Sequence, residues 1–371
     1  MMKDGNDYPH VCRSTFMTWI LYVTKCNAKV IELNVAYKIL PQCMFNSETL
    51  EELRLFVLLK DEARAINLPR LKKLELDVDS YDSDILNKLA LGCPALEVLT
   101  LCSYHINIRV VSFPKLKYLN ISLRGRDTCV EVIKTPNLVS LVLQGYAKHF
   151  KETCLEKMPS LMNATISLRR CYCFDVEKCN LLRDVSNVQN LELTGSTIQA
   201  LIEKGLPRCP TLFNLTTLSL RYFCMICHSN EVDDILKHTP NLKKLILCGD
   251  SFYRNGDVEH ECDKEVDQGS NSIKSALLQC KNLDEIEVEL ERINVRTKQV
   301  VNALVESLAE LKTTHLILSV CYTRSTISSP IEFHRFCLSM VHGRNVLTLL
   351  GGNKFDVWSQ MSNPLIQVVS V

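Results

Sequence analysis

The sharpest chemical signal in the chain is CMICH, Cys224 to His228, whose C-x-x-C-H spacing is that of a c-type haem attachment site. A haem protein also needs an export route, a distal ligand and a pocket, and the surrounding sequence indicates none of them. A zinc reading would combine Cys224 and Cys227 with Cys171, Cys173 or Cys179, but no second C-x-x-C stands at a ligand spacing. Phosphate-loop, nucleophile-elbow, zincin and dinucleotide fingerprints are all missing from the sequence. The nine histidines (His10, His105, His149, His228, His238, His260, His315, His334, His342) are dispersed, with no repeated acid or nucleophile partner. The expectation is a protein that is not an enzyme, with no cofactor and no metal.

The remaining polar residues with a regular spacing lie between paired leucines. One column reads Arg54, Glu75, Thr100, Asn120, Val142, Thr165, Glu192, Ser219, Ile246 and Glu287. Its neighbour reads Glu52, Lys73, Val98, Tyr118, Ser140, Asn163, Asn190, Thr217, Lys244 and Glu285. Small polar and apolar groups dominate the middle, which suits a protein partner better than a phosphate backbone. The expected partner-binding residues are Lys73, Glu75, Thr100, Tyr118, Asn120, Asn163, Asn190, Glu192, Thr217, Lys244, Glu285 and Glu287. At the far end Glu285, Glu287 and Glu289 share one face, either an acidic patch that receives a basic segment or an ordinary solvated strand face.

The elements that place these columns are repeats. The phrases ETLEELRL (48–55), PRLKKLEL (69–76), PALEVLTL (94–101), PKLKYLNI (114–121) and PNLVSLVL (136–143) continue as PSLMNATI (159–166), SNVQNLEL (186–193), FNLTTLSL (213–220), PNLKKLIL (240–247) and KNLDEIEV (281–288). A weaker copy, AKVIELNV (28–35), precedes them, and THLIL (314–318) follows. From Val35 to Leu247 the closing residues are 20 to 27 apart, and the step to Val288 is 41. The shorter steps are the period of a leucine-rich repeat. The last two apolar residues of each phrase are two apart, so Leu74 and Leu76 face one way while Lys73, Glu75 and Asp77 face the other.

Such a unit cannot bury its apolar side alone. Stacking puts Leu53, Leu74, Leu99, Leu119, Leu141, Leu191, Leu218 and Leu245 into an interior column. Between phrases, DSDILNKLALGCP (82–94) reads as a helix lined by Ile85, Leu86, Leu89 and Leu91 and stopped at Gly92 and Pro94. The fold class is therefore α/β, a leucine-rich-repeat solenoid with parallel strands on the concave face and helices and irregular turns on the convex face.

Composition excludes other classes. Net charge is +1, from 43 basic and 42 acidic residues without long blocks of either sign, so nucleic acid is not an expected partner. No apolar run approaches the roughly 18 residues of a membrane span. The apolar stretch Phe16 to Val23 lacks a basic leader and reads as a helix, not a signal peptide. The 18 cysteines are scattered; Cys93, Cys209 and Cys280 fall just before strands as small buried hydrophobes, and reduced thiols point to a cytoplasmic or nuclear protein.

Five segments follow: an N-terminal helical cap (1–27), the solenoid (28–247), a polar loop (248–272), C-terminal repeats (273–322) and an irregular tail (323–371).

TWILYVTKCNAKVIELNV (18–35), LPQCMFNSETLEELRL (40–55), LALGCPALEVLTL (89–101), MPSLMNATISL (158–168) and LLRDVSNVQNLELTGSTIQAL (181–201) together resemble the plant F-box/leucine-rich-repeat proteins, in the branch with an FBD region. The resemblance spans roughly residues 16–318, with 273–318 similar to the FBD region. It implies substrate recognition for a cullin-type ubiquitin ligase, with the target on the concave face. The alternative is a free-standing scaffold, or a truncated competitor that binds targets without delivering them. The family's opening Leu-Pro and its Lys-Arg-Trp segment have no counterpart before residue 16, so the ligase's linker subunit is not among the partners expected from these residues. Other leucine-rich repeats carry Asn or Cys two places past the strand; here those places hold Asp79, Tyr104, Arg124, Tyr146, Ser196, Phe223 and Asp250, so no side-chain ladder is expected.

Overall fold

A short turn opens each strand, and it repeats with the leucine phrase. In the computed structural model the Leu71 amide donates to the Leu68 carbonyl, Leu96 to Cys93, Leu116 to Phe113 and Leu138 to Thr135, at 3.0 to 3.3 Å. Leu215 to Leu212, Leu242 to Thr239 and Leu283 to Cys280 repeat it at 3.2 Å. Pro69, Pro94, Pro114, Pro136 and Pro240 are each the second residue of such a turn, where a fixed φ near −65° is already correct. The structure describes residues 13–35, 40–57, 65–80, 85–125, 128–169, 181–194, 197, 210–223, 229–249, 277, 280–290, 315–322, 332–341, 344–351 and 366–368.

Two units divide the chain: Met1–Ser140 with Thr153–Ser160, and Leu141–Glu152 with Leu161–Val371. The first opens with α1 (Arg13–Lys25), which buries Phe16 and Ile20. Asn27 ends it at φ 56° while the Asn27 and Ala28 amides donate back to Thr24 and Val23, a left-handed cap that satisfies the last carbonyls. Parallel strands β1 (Val30–Val35), β2 (Glu52–Val57), β3 (Lys73–Ser80), β4 (Val98–His105) and β6 (Tyr118–Leu123) then pair in that order, with β5 (Asn107–Ser112) between β4 and β6 in the chain. The carbonyls of Glu51, Lys72 and Glu97 each accept two successive amides of the next repeat, such as Lys72 at 2.8 Å and Lys73 at 3.2 Å on Glu51. This fork fixes the register.

Among the described residues, not every segment between strands is helical. α2 (Ile85–Gly92) forms as expected and buries Leu86 and Leu89, but Leu91 is 85% exposed. Two residues past Leu89 is about 200° around a helix, so Leu91 cannot share that face. Gly92 sits where a Cβ would overlap the Ile66 carbonyl, and its own carbonyl accepts the Leu68 amide at 2.8 Å. In the three following connections a strand forms: β5, β7 (Cys129–Lys134) and β9 (Cys154–Leu155) build a second parallel sheet. The runs NIRVVS and CVEVIK are too short for a stable helix and are rich in β-branched residues, which favour the extended chain.

β8 (Ser140–Tyr146) leads into the second unit, where hydrogen-bonded order runs β8, β10 (Asn163–Arg169), β11 (Asn190–Thr194), β12 (Thr217–Phe223), β13 (Lys244–Gly249), β14 (Glu285–Leu290) and β15 (His315–Tyr322). The pairs from β10 to β15 are parallel. α3 (Leu181–Asp184) and α4 (Ser229–Lys237) lie between strands. The 41-residue step therefore does not interrupt the sheet, since β13 pairs directly with β14.

The segment 323–371, expected to be irregular, contains β16 (Glu332–Val341), β17 (Arg344–Gly351) and β18 (Ile366–Val368). β16 pairs antiparallel with β15 and β17, the latter through Val341 opposite Arg344. A hairpin has no repeat period, so a leucine-phrase reading misses it.

Leu53, Leu74, Leu99 and Leu119 of the first unit and Leu141, Leu191, Leu218 and Leu245 of the second are all buried, at no more than 2% exposure. Each contributes roughly 1.5–3 kcal/mol of transfer free energy. The column at the start of the phrase (Leu71, Leu96, Leu116; Leu215, Leu242, Leu283) is buried beside it, so a repeat places three apolar side chains inside.

Asparagine holds the turns of the second unit together. Asn241 Nδ2 donates to the Phe213 carbonyl at 2.8 Å, Asn282 Nδ2 to Pro240 at 3.1 Å and Asn214 Nδ2 to Asn187 at 3.5 Å. This ladder is distinct from the strand-end one that the sequence does not lead one to expect. It lies in the turns that open β12, β13 and β14, where F-N-L, P-N-L and K-N-L repeat. Asn137 Nδ2, on the Pro114 carbonyl at 2.7 Å, makes the same bond in the first unit.

Candidate functional site

Because one face of each strand is committed to leucine, the alternate residues point away from the core. In the first unit the register aligns Glu52, Lys73, Val98 and Tyr118 in one row and Arg54, Glu75, Thr100 and Asn120 in the next. All are half-buried. Arg54 is the hub: its guanidinium lies 3.0 Å from Glu32, 3.5 Å from Glu52 and 4.0 Å from Glu75. Tyr118 keeps its phenolic proton above the ordinary range, first through burial and then through the Glu75 charge. Towards the strand ends Arg124 binds Asp77 at 3.2 Å with its guanidinium 5.7 Å from the Tyr104 ring centre.

Along the strand starts of this unit charge alternates. Glu51 takes Lys72 at 2.9 Å and Lys29 at 3.3 Å, and Glu97 takes Lys117 at 2.8 Å. Hydrogen bonds from Lys72 and then Lys29 hold the Glu51 carboxyl below its usual range. These pairs are solvated and contribute little to stability.

In the second unit one row reads Asn163, Asn190, Thr217, Lys244 and Glu285, and the next Thr165, Glu192, Ser219, Ile246 and Glu287. Asn190 Nδ2 donates to Asn163 Oδ1 at 2.7 Å. Lys244 Nζ sits 2.6 Å from Glu285 and 3.0 Å from Glu287, and the hydrogen bond to Glu285 leads the causes that raise the lysine pKa. Arg221 reaches Glu192 through Nε at 2.8 Å and Glu289 through Nη1 at 3.3 Å. Glu289 also accepts the Cys248 thiol at 2.6 Å; burial, and then that carboxylate, raises the thiol pKa and keeps it protonated.

The three glutamates of β14 are therefore not a bare acidic patch. Lys244 and Arg221 already reach in among them, from neighbouring strands that pair in register with β14 or lie one strand beyond it. The sequence places Lys244 in its row, but Arg221, Cys248 and Glu289 sit one step further along the strands, outside the L-x-L window, and only the pairing of Arg221 with Cys248 and of Cys248 with Glu289 brings them together. On the outward rows, Asn120 Oδ1 and Ser219 Oγ are buried without a hydrogen-bond partner among the described residues.

Cys93 and Cys280 are buried, and burial pushes their thiols up to about 12 and about 11 respectively. His149 is buried and its Nδ1 accepts the Tyr146 amide at 3.1 Å, a turn-closing role. Among the described residues no group of three His, Cys, Asp or Glu is placed to hold a metal; CMICH, Cys171, Cys173, Cys179 and Cys209 lie outside those residues, as does most of the 248–272 loop. Among the described residues no helix is long and apolar enough to cross a membrane.

Residues 27–166 match the family model for the leucine-rich repeats of the FBD-associated F-box protein At5g56370. Among curated proteins of Arabidopsis thaliana, the F-box/FBD/LRR-repeat protein At1g66290 is 27% identical over 261 residues, covering 64% of this chain and 56% of the relative. The F-box/LRR-repeat protein At4g14096 is 30% identical over 257 residues, covering 62% and 52%, and the FBD-associated F-box protein At5g56440 is 29% identical over 294 residues, covering 74% and 64%. The chain spans roughly half to two-thirds of the length of these curated relatives.

Proposed function

We propose, from the match of residues 27–166 to the leucine-rich repeats of an FBD-associated F-box protein and from the similar Arabidopsis proteins, that this chain is of the plant F-box/leucine-rich-repeat kind and that its outward strand face holds a target protein for a cullin-type ubiquitin ligase. The chain itself supplies recognition and no chemistry. The observation that supports this most is the split character of the strands: leucines fill the inward rows, while Lys73, Glu75, Thr100, Tyr118 and Asn120, and Asn163, Asn190, Glu192, Thr217, Lys244, Glu285 and Glu287, form aligned outward rows. Mixed small polar, charged and aromatic groups at fixed spacing can read both the backbone and side chains of a protein segment.

Affinity purification of the full-length protein, followed by probing for the ligase's linker and cullin subunits, tests the delivery step. Recovery of both with a target supports the ligase reading. A target recovered without either subunit favours a free-standing scaffold or competitor that binds and does not deliver.

A further inference from the structure

Among the described residues, the outward face of β11 to β14 holds carboxylates that share their cations and a buried hydroxyl with no hydrogen-bond partner. Arg221 meets both Glu192 and Glu289, and Lys244 meets both Glu285 and Glu287, so each cation is divided between two carboxylates. Glu192, Glu285 and Glu289 keep 32%, 30% and 40% of their side-chain surface exposed. A carboxylate accepts from several donors at once, so one ion pair does not exhaust it.

Ser219 stands in the middle of this arrangement. The register Glu192, Ser219, Ile246, Glu287 puts it on the same outward row as two of the carboxylates. It is 6% exposed, and its Oγ has no hydrogen-bond partner among the described residues. A buried hydroxyl is normally satisfied, so the position calls for a donor or acceptor from outside.

We propose that this face, between Arg221 and Lys244, is the seat of an arginine- or lysine-bearing segment of the target protein, whose cationic group meets Glu192, Glu285 and Glu289 while a polar group beside it satisfies Ser219. The inference rests on the strand face being the target-binding surface and adds the chemistry of the segment it takes. A guanidinium fits best, because its fork of donors can engage two carboxylates together. Lys244 acts as a partial counterion that limits the affinity of the site.

The test uses a phage-displayed random dodecapeptide library selected on the full chain, with clones then measured on variants. Selected clones are expected to be enriched in Arg and Lys and to lose binding at high salt. Glu192→Gln with Glu289→Gln should weaken them about tenfold or more, and Ser219→Ala about threefold to tenfold. Lys244→Gln, which removes the cation beside Glu285, should bind them more tightly. Clones that depend on Thr217 and Asn190 but show no basic enrichment would overturn this proposal and leave the strand-face reading standing. Clones indifferent to every variant of the face, or no face-dependent clone at all, would overturn both. Circular dichroism of each variant separates lost binding from lost fold.

Discussion

Asn190 donates from Nδ2 to Asn163 Oδ1 at 2.7 Å, joining two amides 27 residues apart in the chain on neighbouring strands of the outward face. The bond uses one hydrogen of Asn190 and one lone pair of Asn163, so the pair keeps amide hydrogens and carbonyl lone pairs that can meet the peptide groups of a partner.

Replacing Tyr118, Asn163 and Asn190 by Glu, singly, is therefore expected to weaken target binding at least tenfold while each variant melts within a few degrees of the parent. Outward substitutions remove no core contact and typically change stability by about 0.5 kcal/mol or less. Calorimetric binding and thermal melts on the same samples check both halves.

Core substitutions behave in the opposite way. Leu218→Ala, at a position that is fully buried, should cost about 2–5 kcal/mol in urea unfolding. Thr217→Ala, its outward neighbour, should cost less than about 0.5 kcal/mol and act on binding alone. A mild Leu218 variant would mean that the interior column is not closely packed.

The turn asparagines form a separate element of stability. Asn241→Ala removes the donor to the Phe213 carbonyl and should cost about 1 kcal/mol. Asn241→Asp, which keeps the shape but cannot donate, should cost at least as much. Urea unfolding of the pair distinguishes a hydrogen bond from packing.

Thiol ionisation gives a pH dependence. Burial pushes Cys93 up to about 12, well above an unfolded thiol near ~8.5. Between those values the unfolded chain has lost a proton that the folded one keeps, so stability falls as pH rises through that window, by up to about 1.4 kcal/mol per pH unit for this one group. The loss is absent below the unfolded value. Cys93→Ala should flatten the alkaline limb. At pH 8 an alkylating reagent followed by mass spectrometry should modify the exposed Cys26 and Cys154 well before Cys93 or Cys280.

The strand register and both outward rows were legible in the sequence because L-x-L spacing and strand periodicity are the same statement. What lay between strands was less legible. NIRVVS and CVEVIK form a second sheet where helices were expected, since a helix and a short extended run bury apolar residues equally well in a two-turn space. The asparagine ladder is written in the turns as F-N-L, P-N-L and K-N-L and not at the strand ends, where leucine-rich repeats usually carry it. The ion pairs around Arg221 depend on which strands are neighbours, and they lie beyond the L-x-L window. The hairpin of β16 and β17 carries no repeat at all.

The most direct test of target binding on the strand face is photo-crosslinking from single positions. A photoreactive residue at Asn190 or Thr217 should form a covalent adduct with the target, while the same residue at Lys237 on α4 or at exposed Leu91 on α2 should form none. Adducts from Lys237 and Leu91, with none from Asn190 and Thr217, would place the target elsewhere and contradict the account.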